Sequence, residues 1–191
     1  MTGAGNADLV IQGSAPFRYV ANGGDLGGYG GLVTVDGGIL QVGVTNSKAI
    51  TLQNNGTLQI YTDTGVLAAY TAPITIANGS SQLIKVGPGT LDLTGGLPNV
   101  SGPGIFERLL VQEGLARVAV NANGIIGINK LAVSGTGALE INVASGIATI
   151  ADAITAAIAN GTGGSITKTG AGTLVLGAGI TSTADVVVAQ G

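Results

Sequence analysis

One five-residue pattern constrains this chain more than any other: glycine, any residue, leucine, any residue, then an aliphatic. It stands at Gly38-Ile39-Leu40-Gln41-Val42, Gly56-Thr57-Leu58-Gln59-Ile60 and Gly89-Thr90-Leu91-Asp92-Leu93. It returns at Gly137-Ala138-Leu139-Glu140-Ile141 and Gly172-Thr173-Leu174-Val175-Leu176, and Gly114-Leu115-Ala116-Arg117-Val118 is a weaker copy with Ala in the Leu place. Alternation at period two marks a strand with one face buried. The leading glycine permits positive φ, or close backbone approach, at the corner before each strand. Successive copies lie 18, 33, 25, 23 and 35 residues apart, and each long gap has room for a degenerate copy. Corner chemistry fills the intervals: Asn55-Gly56, Asn78-Gly79, Asn123-Gly124, Asn160-Gly161, Gly23-Gly24 and Gly95-Gly96.

Many short strands separated by turns suit a sandwich, a barrel or a solenoid. The core material selects among them. Apolar residues make up 45% of the 191, yet there is no Trp, two Phe and four Tyr. Facing sheets stand about 10 Å apart and usually recruit aromatic rings to fill the gap, whereas Val, Ile and Leu fill a narrow coil. The chain is therefore expected to be all-β, a single-stranded parallel β-helix (β-solenoid). At about 20 residues per coil it would make roughly eight or nine irregular coils, each hydrogen-bonded to the next at about 4.8 Å. It reads as a single solenoid domain over 1–191, with degenerate repeats near 31–60, 84–120, 130–141 and 166–191, and as a segment of a longer protein. The 35 glycines show no Gly-X-Y period, which excludes collagen. Aliphatic richness with only 9% charge is the reverse of a disordered composition. One stretch departs from the pattern: Ile150, Ile154 and Ile158 stand at helical spacing among alanines, so 152–160 admits a short helix, the alternative being another degenerate coil.

The phrase "ITKTGAGTLVLGAG" from Ile166 to Gly179 nearly repeats "IKVGPGTLDLTGG" from Ile84 to Gly96. With the following "TADVVVAQG" and "LLVQEGLARVAV", both resemble the passenger-associated repeat of bacterial autotransporters. That repeat runs Lys-x-Gly-x-Gly-Thr-Leu-x-Leu-x-Gly, a turn, then Val-x-x-Gly-x-Leu-x-Val. Looser versions cover Gly31 to Ile60 and Lys130 to Ile141. The resemblance implies a right-handed winding and display at a bacterial surface or release from it, so an extracellular location. The family's Asn-Thr-Tyr-Thr-Gly turn is absent; "GLPNVSGPG" and "GAGITSTAD" stand in its place. "MTGAGNADLV" shows no basic segment followed by a long apolar run, so no signal peptide is read there. No apolar run is long enough for a helical membrane span.

Little chemistry is on offer. There is no Cys and no His, which removes thiolate nucleophiles and His-ligated metals. The basic residues Arg18, Lys48, Lys85, Arg108, Arg117, Lys130 and Lys168 stand singly, with no stripe to track nucleic-acid phosphates. Asp36, Asp63 and Asp92 are the carboxylates to weigh for glycoside chemistry, which needs a paired acid and base. Asp92 is expected to face solvent, and the other two sit in turns. "NGGDLGGYGG" (22–31) has the wrong order for the calcium repeat and reads as a flexible loop. Gly87-Pro88-Gly89 and Gly170-Ala171-Gly172 lack the continuation a phosphate cradle requires. Thr62/Thr64, Thr167/Thr169 and Thr181/Thr183 are not at one coil spacing, so they do not form a water-ordering ladder. The triplets at Asn78, Asn99 and Asn160 are what turn composition generates. Tyr19, Tyr29, Tyr61, Tyr70, Phe17 and Phe106 are expected to plug a wide coil or cap an end, the alternative being an adhesive patch. No catalytic, cofactor or metal residue is assigned. The expected function is a non-enzymatic stalk or adhesin scaffold, with a host-surface or matrix ligand as a possible partner. Its rival is a filament subunit that self-associates through the solenoid ends.

Overall fold

Leucine stacks on leucine through five successive coils. Leu40 pairs in register with Leu58, Leu58 with Leu83, Leu83 with Leu109, and Leu109 with Leu131. All five are buried. A second column runs Ala68, Leu91, Ala116, Leu139, Ile166. Burying each large aliphatic contributes about 1.5–3 kcal/mol, and only a parallel register one coil apart lines them up. The computed structural model describes residues 7–95, 100–120, 128–152, 154–157, 164–178, 180–182 and 185–189. Among them every strand pairing is parallel. The fold is the expected parallel β-solenoid.

The chain visits three faces in turn. The first face holds five strands, from Leu9–Ile11 to Val100–Ser101; the second holds eight, from Pro16–Arg18 to Ile180–Ser182; the third holds six, from Leu67–Ala68 to Asp185–Val188. A further pair, Ile147–Ile150 with Thr173–Leu176, lies where the coil order returns to the first face. The solenoid makes about six turns, fewer than the eight or nine expected. Coils are uneven and mostly longer than 20 residues: 18 separate Ile39 from its partner Thr57, but 25 separate Thr57 from Gln82 and 26 separate Gln82 from Arg108. The outermost rungs also carry only part of a coil, since the third face begins at Leu67.

The helix admitted over 152–160 does not form where the chain is described. Ile154–Ala157 is a strand of the second face, paired with the strand Ile128–Ser134; 158–160 lie outside the described residues. Ile150 and Ile154 are both buried, but in two different strands with a corner between them. Their spacing of four mimics a helix because the corner separates two inward positions. Among the described residues there is no α-helix, and the one helical turn is the 3-10 segment Ala21–Gly24.

The 22–31 stretch is anchored rather than loose. Leu26 is buried, and its N–H donates to Asn46 Oδ1 at 3.0 Å. Asn46, itself buried, donates through Nδ2 to the Lys48 carbonyl at 2.9 Å and to Tyr70 Oη at 2.8 Å. Tyr29 Oη donates to the Ala7 carbonyl at 2.5 Å. Asn46→Ala leaves the Leu26 N–H, the Lys48 carbonyl and the Tyr70 hydroxyl short of partners. It is expected to cost about 2–3 kcal/mol, read from a chemical denaturation midpoint.

Candidate functional site

The repeated phrase builds a corner. In the first copy the strand Ser80–Val86 lies on the second face and Thr90–Leu93 on the third. In the second copy Ser165–Thr169 lies on the third face, and Thr173–Leu176 in the two-stranded sheet that follows it. The same words thus turn the chain at two different edges of the solenoid. Backbone bonds repeat as well. Gly89 N–H donates to the Thr62 carbonyl and Thr90 N–H to Val66; Gly172 N–H donates to Val143 and Thr173 N–H to Gly146.

The lysine of the phrase points inward. Lys85 sits in a core column with Ile60 on one side and Val111 on the other, and Lys168 lies between Ile141 and Val188. Both are buried. Lys85 Nζ donates to the carbonyls of Val86 at 2.9 Å, Gly87 at 2.5 Å and, one coil on, Glu113 at 3.0 Å. Glu113 also accepts the Gly87 N–H on Oε2 at 3.2 Å. Lys168 Nζ donates to the Gly170 carbonyl, the same step of two residues. Burial pushes the Lys85 ammonium down to about 8, with Glu113 pulling the other way. Sequence reading missed this role, although parity carried it: Lys85 is two residues from the inward Leu83.

The leading glycines serve close approach more than positive φ. A Cβ on Gly89 would stand 2.0 Å from the Asp63 carbonyl oxygen, and one on Gly137 2.2 Å from that of Val111. Of the six motif glycines only Gly114 has positive φ.

The three weighed carboxylates do not gather. Asp36 ends a first-face strand and Asp92 lies on the third face. Asp36 accepts from Asn54 Nδ2 and Gln12 Nε2, both at 2.6 Å, and these bonds, Asn54 first, hold it below the usual carboxylate range. It ties three coils together. Asp92 lies between buried Leu91 and Leu93 on the outward parity and accepts from Thr94 N–H and Oγ1. Asp25 is occupied by Ser47 and Gly27 N–H, whose bonds, Ser47 first, hold it low. Among the described residues no cluster of three or more acidic, His or Cys residues is placed to hold a metal.

Outward positions carry ladders that sequence spacing hid. Thr34, Thr51, Thr75 and Ser101 stack in register on the first face, with Thr75 Oγ1 and Ser101 Oγ at 3.2 Å. On the third face Arg117 Nε meets Glu140 Oε2 at 2.9 Å; such an exposed pair contributes at most about 1 kcal/mol. Of the Thr pairs, Thr62 is buried and Thr183 lies outside the described residues, as do Asn99 and Asn160. Tyr70 and Phe106 plug the interior, Tyr19 and Tyr29 pack against it, and Phe17 stays 43% exposed on the first strand of the second face.

Two recesses among the described residues bear on function. One, of about 360 Å3, opens onto the last rung and is lined by Ile154, Ile166, Leu174, Leu176, Val186 and Val188. The other, of about 240 Å3, lies against the first coils of the second face, with Arg18, Tyr19, Gln41, Gly43, Tyr61 and Asp63 in its wall. Tyr61 lies outward, level with Gly43, and a Cβ on Gly87 would meet the Tyr61 ring at 2.7 Å. Its hydroxyl bonds to Asp63, the main cause holding the phenol above its usual range. Gln41, 8% exposed, borders the same recess. Comparison of the chain with protein-family models, with curated proteins and with solved structures finds no match.

Proposed function

We propose that this chain is a non-enzymatic structural segment, a stalk or adhesive scaffold, of an exported bacterial surface or secreted protein, wound as a right-handed β-solenoid. The observation that carries the reading is the fate of the repeated phrase. Its glycines are spent on coil-to-coil approach and both its lysines on the interior. Continuous parallel ladders over an aliphatic core give a stiff rod, about 30–35 Å long over the eight strands of the second face. Corners and loops then carry whatever meets a partner. Protease treatment of intact cells producing the protein is expected to release its peptides; peptides that appear only after lysis would overturn the surface assignment. Release of reducing sugar from a polysaccharide, lost in Asp92→Ala or Asp63→Ala, would overturn the non-enzymatic one.

A second reading is a filament built head to tail, in which the last described rung of one copy would meet the first of the next. Val186, Val187 and Val188 are 49%, 47% and 69% exposed, beside the open apolar recess. An uncovered strand edge recruits another strand. Sedimentation velocity separates the two: concentration-dependent growth supports stacking, and a monomer at every concentration removes it.

A further inference from the structure

We infer that the recess beside Tyr61 is a binding site for a neutral saccharide chain. The inference rests on the adhesive half of the proposed function and gives it a ligand class.

Three features of the recess converge. The first is how it is made. The second-face column that holds Tyr61 has glycine, Gly43, on the rung before it. The backbone of the Ala21–Gly24 turn closes onto that gap, so that a Cβ on Gly43 would stand 1.8 Å from the Gly23 carbonyl oxygen, and one on Gly24 2.1 Å from Gly43 N. The wall is therefore backbone against backbone. The second feature is Gln41. The residue is nine-tenths buried, and it lines the recess. A primary amide offers donors and an acceptor side by side, a match for a pair of sugar hydroxyls. The third is the pairing of a ring with planar polar groups. One part of the Tyr61 ring is covered by Gly87, and the residue also borders the recess. The electron-rich face of a phenol suits the C–H face of a pyranose, while Arg18, Gln41 and Asp63 present hydroxyl-matching groups at its edge.

Charge decides the class. Asp63 and Glu113 act on the Tyr61 hydroxyl from one sign and Arg18 from the other. With Arg18 and Asp63 both in the wall, an anionic ligand finds no net positive charge there, whereas an uncharged polyol needs none. The recess, of about 240 Å3 and part-open to solvent, fits a residue within a chain whose other face stays in water.

The test is a titration of the purified chain with gluco-, manno- and galacto-trioses, followed by the amide NMR signals of Gln41, Gly43 and Tyr61. At least one triose is expected to produce saturable shifts with Kd on the order of 1 mM or tighter. Gln41→Leu is expected to weaken that binding about tenfold with an unchanged melting temperature, and Thr149→Ala, in the two-stranded sheet, to leave it unaltered. Tyr61→Ala is expected to abolish it; should that variant fail to fold, Gln41→Leu still decides. Absence of saturable shifts with all three sugars at about ten times that concentration overturns the inference. So does binding that survives Gln41→Leu undiminished, or preference for an acidic oligosaccharide. A failure of this kind leaves surface exposure, measured on intact cells, untouched.

Discussion

Lys85→Ala is expected to destabilise the solenoid by about 4 kcal/mol. The change removes a buried stem that packs between Ile60 and Val111, and it strips the donor from the carbonyls of Val86, Gly87 and Glu113. The denaturant midpoint reads it directly. Lys85→Met separates the two losses, because it keeps the volume and gives up only the donors; about 2 kcal/mol is expected at pH 7. A methionine variant as stable as the parent would show that the corner carbonyls need no ammonium. The lysine also writes a pH dependence. In the folded chain its ammonium is pushed down to about 8, against 10.5 when free. Between those values the unfolded chain holds more protons, so stability rises with pH; the burial penalty is full below about 8 and relieved above it. The neutral amine keeps two donors for the corner. From pH 8 to 10 the gain is about 2–3 kcal/mol, absent in Lys85→Met. Burial pushes the Tyr70 hydroxyl up. Unfolded tyrosine therefore ionises first above about pH 10, stability falls there, and the window closes.

Gly89→Ala is expected to be at least as damaging, although it adds a single methyl. The new carbon would stand 2.0 Å from the Asp63 carbonyl oxygen and 2.9 Å from that of Val66. Both neighbours are backbone of the preceding coil, so neither can swing aside. Relief requires parting the coils where Gly89 N–H meets Thr62 at 3.0 Å and Thr90 N–H meets Val66 at 2.7 Å. A loss of about 4 kcal/mol or more follows, or failure to fold. Gly28→Ala is the matched control: nothing lies within 4 Å of its Cβ and its φ is ordinary, so stability should hold within about 0.5 kcal/mol. Equal tolerance at both positions would contradict the close-approach account of the motif glycine.

The alternation of the Gly-x-Leu strands made the fold class legible, because parity alone puts Leu58 or Leu91 inside whatever the coil length. Register was not legible. It depends on how many residues each corner consumes, and those numbers vary, so the coil count and the ladder from Thr34 to Ser101 emerge only in three dimensions. The helical spacing from Ile150 to Ile154 has the same origin, a corner whose length imitates one helical turn. Of the candidate sites, the sequence pointed to Asp36, Asp63 and Asp92 as separate solvated carboxylates. It offered no sign that Gln41 and Tyr61 would border one recess, since that depends on how the Ala21–Gly24 turn folds back over Gly43.

The Lys-x-Gly-x-Gly-Thr-Leu phrase serves different edges of the rod, and this bears on how such a chain changes length. Its two copies lie 83 residues apart, which is not a whole number of coils. Recombination between the matching stretches of gene would excise everything from one lysine to the next and leave a seamless phrase. Inward and outward parity would survive, but every strand downstream would fall back by one face. Solenoids of this kind can therefore be shortened or extended in fractions of a turn, and each such event re-aims whatever the far end carries around the rod's circumference.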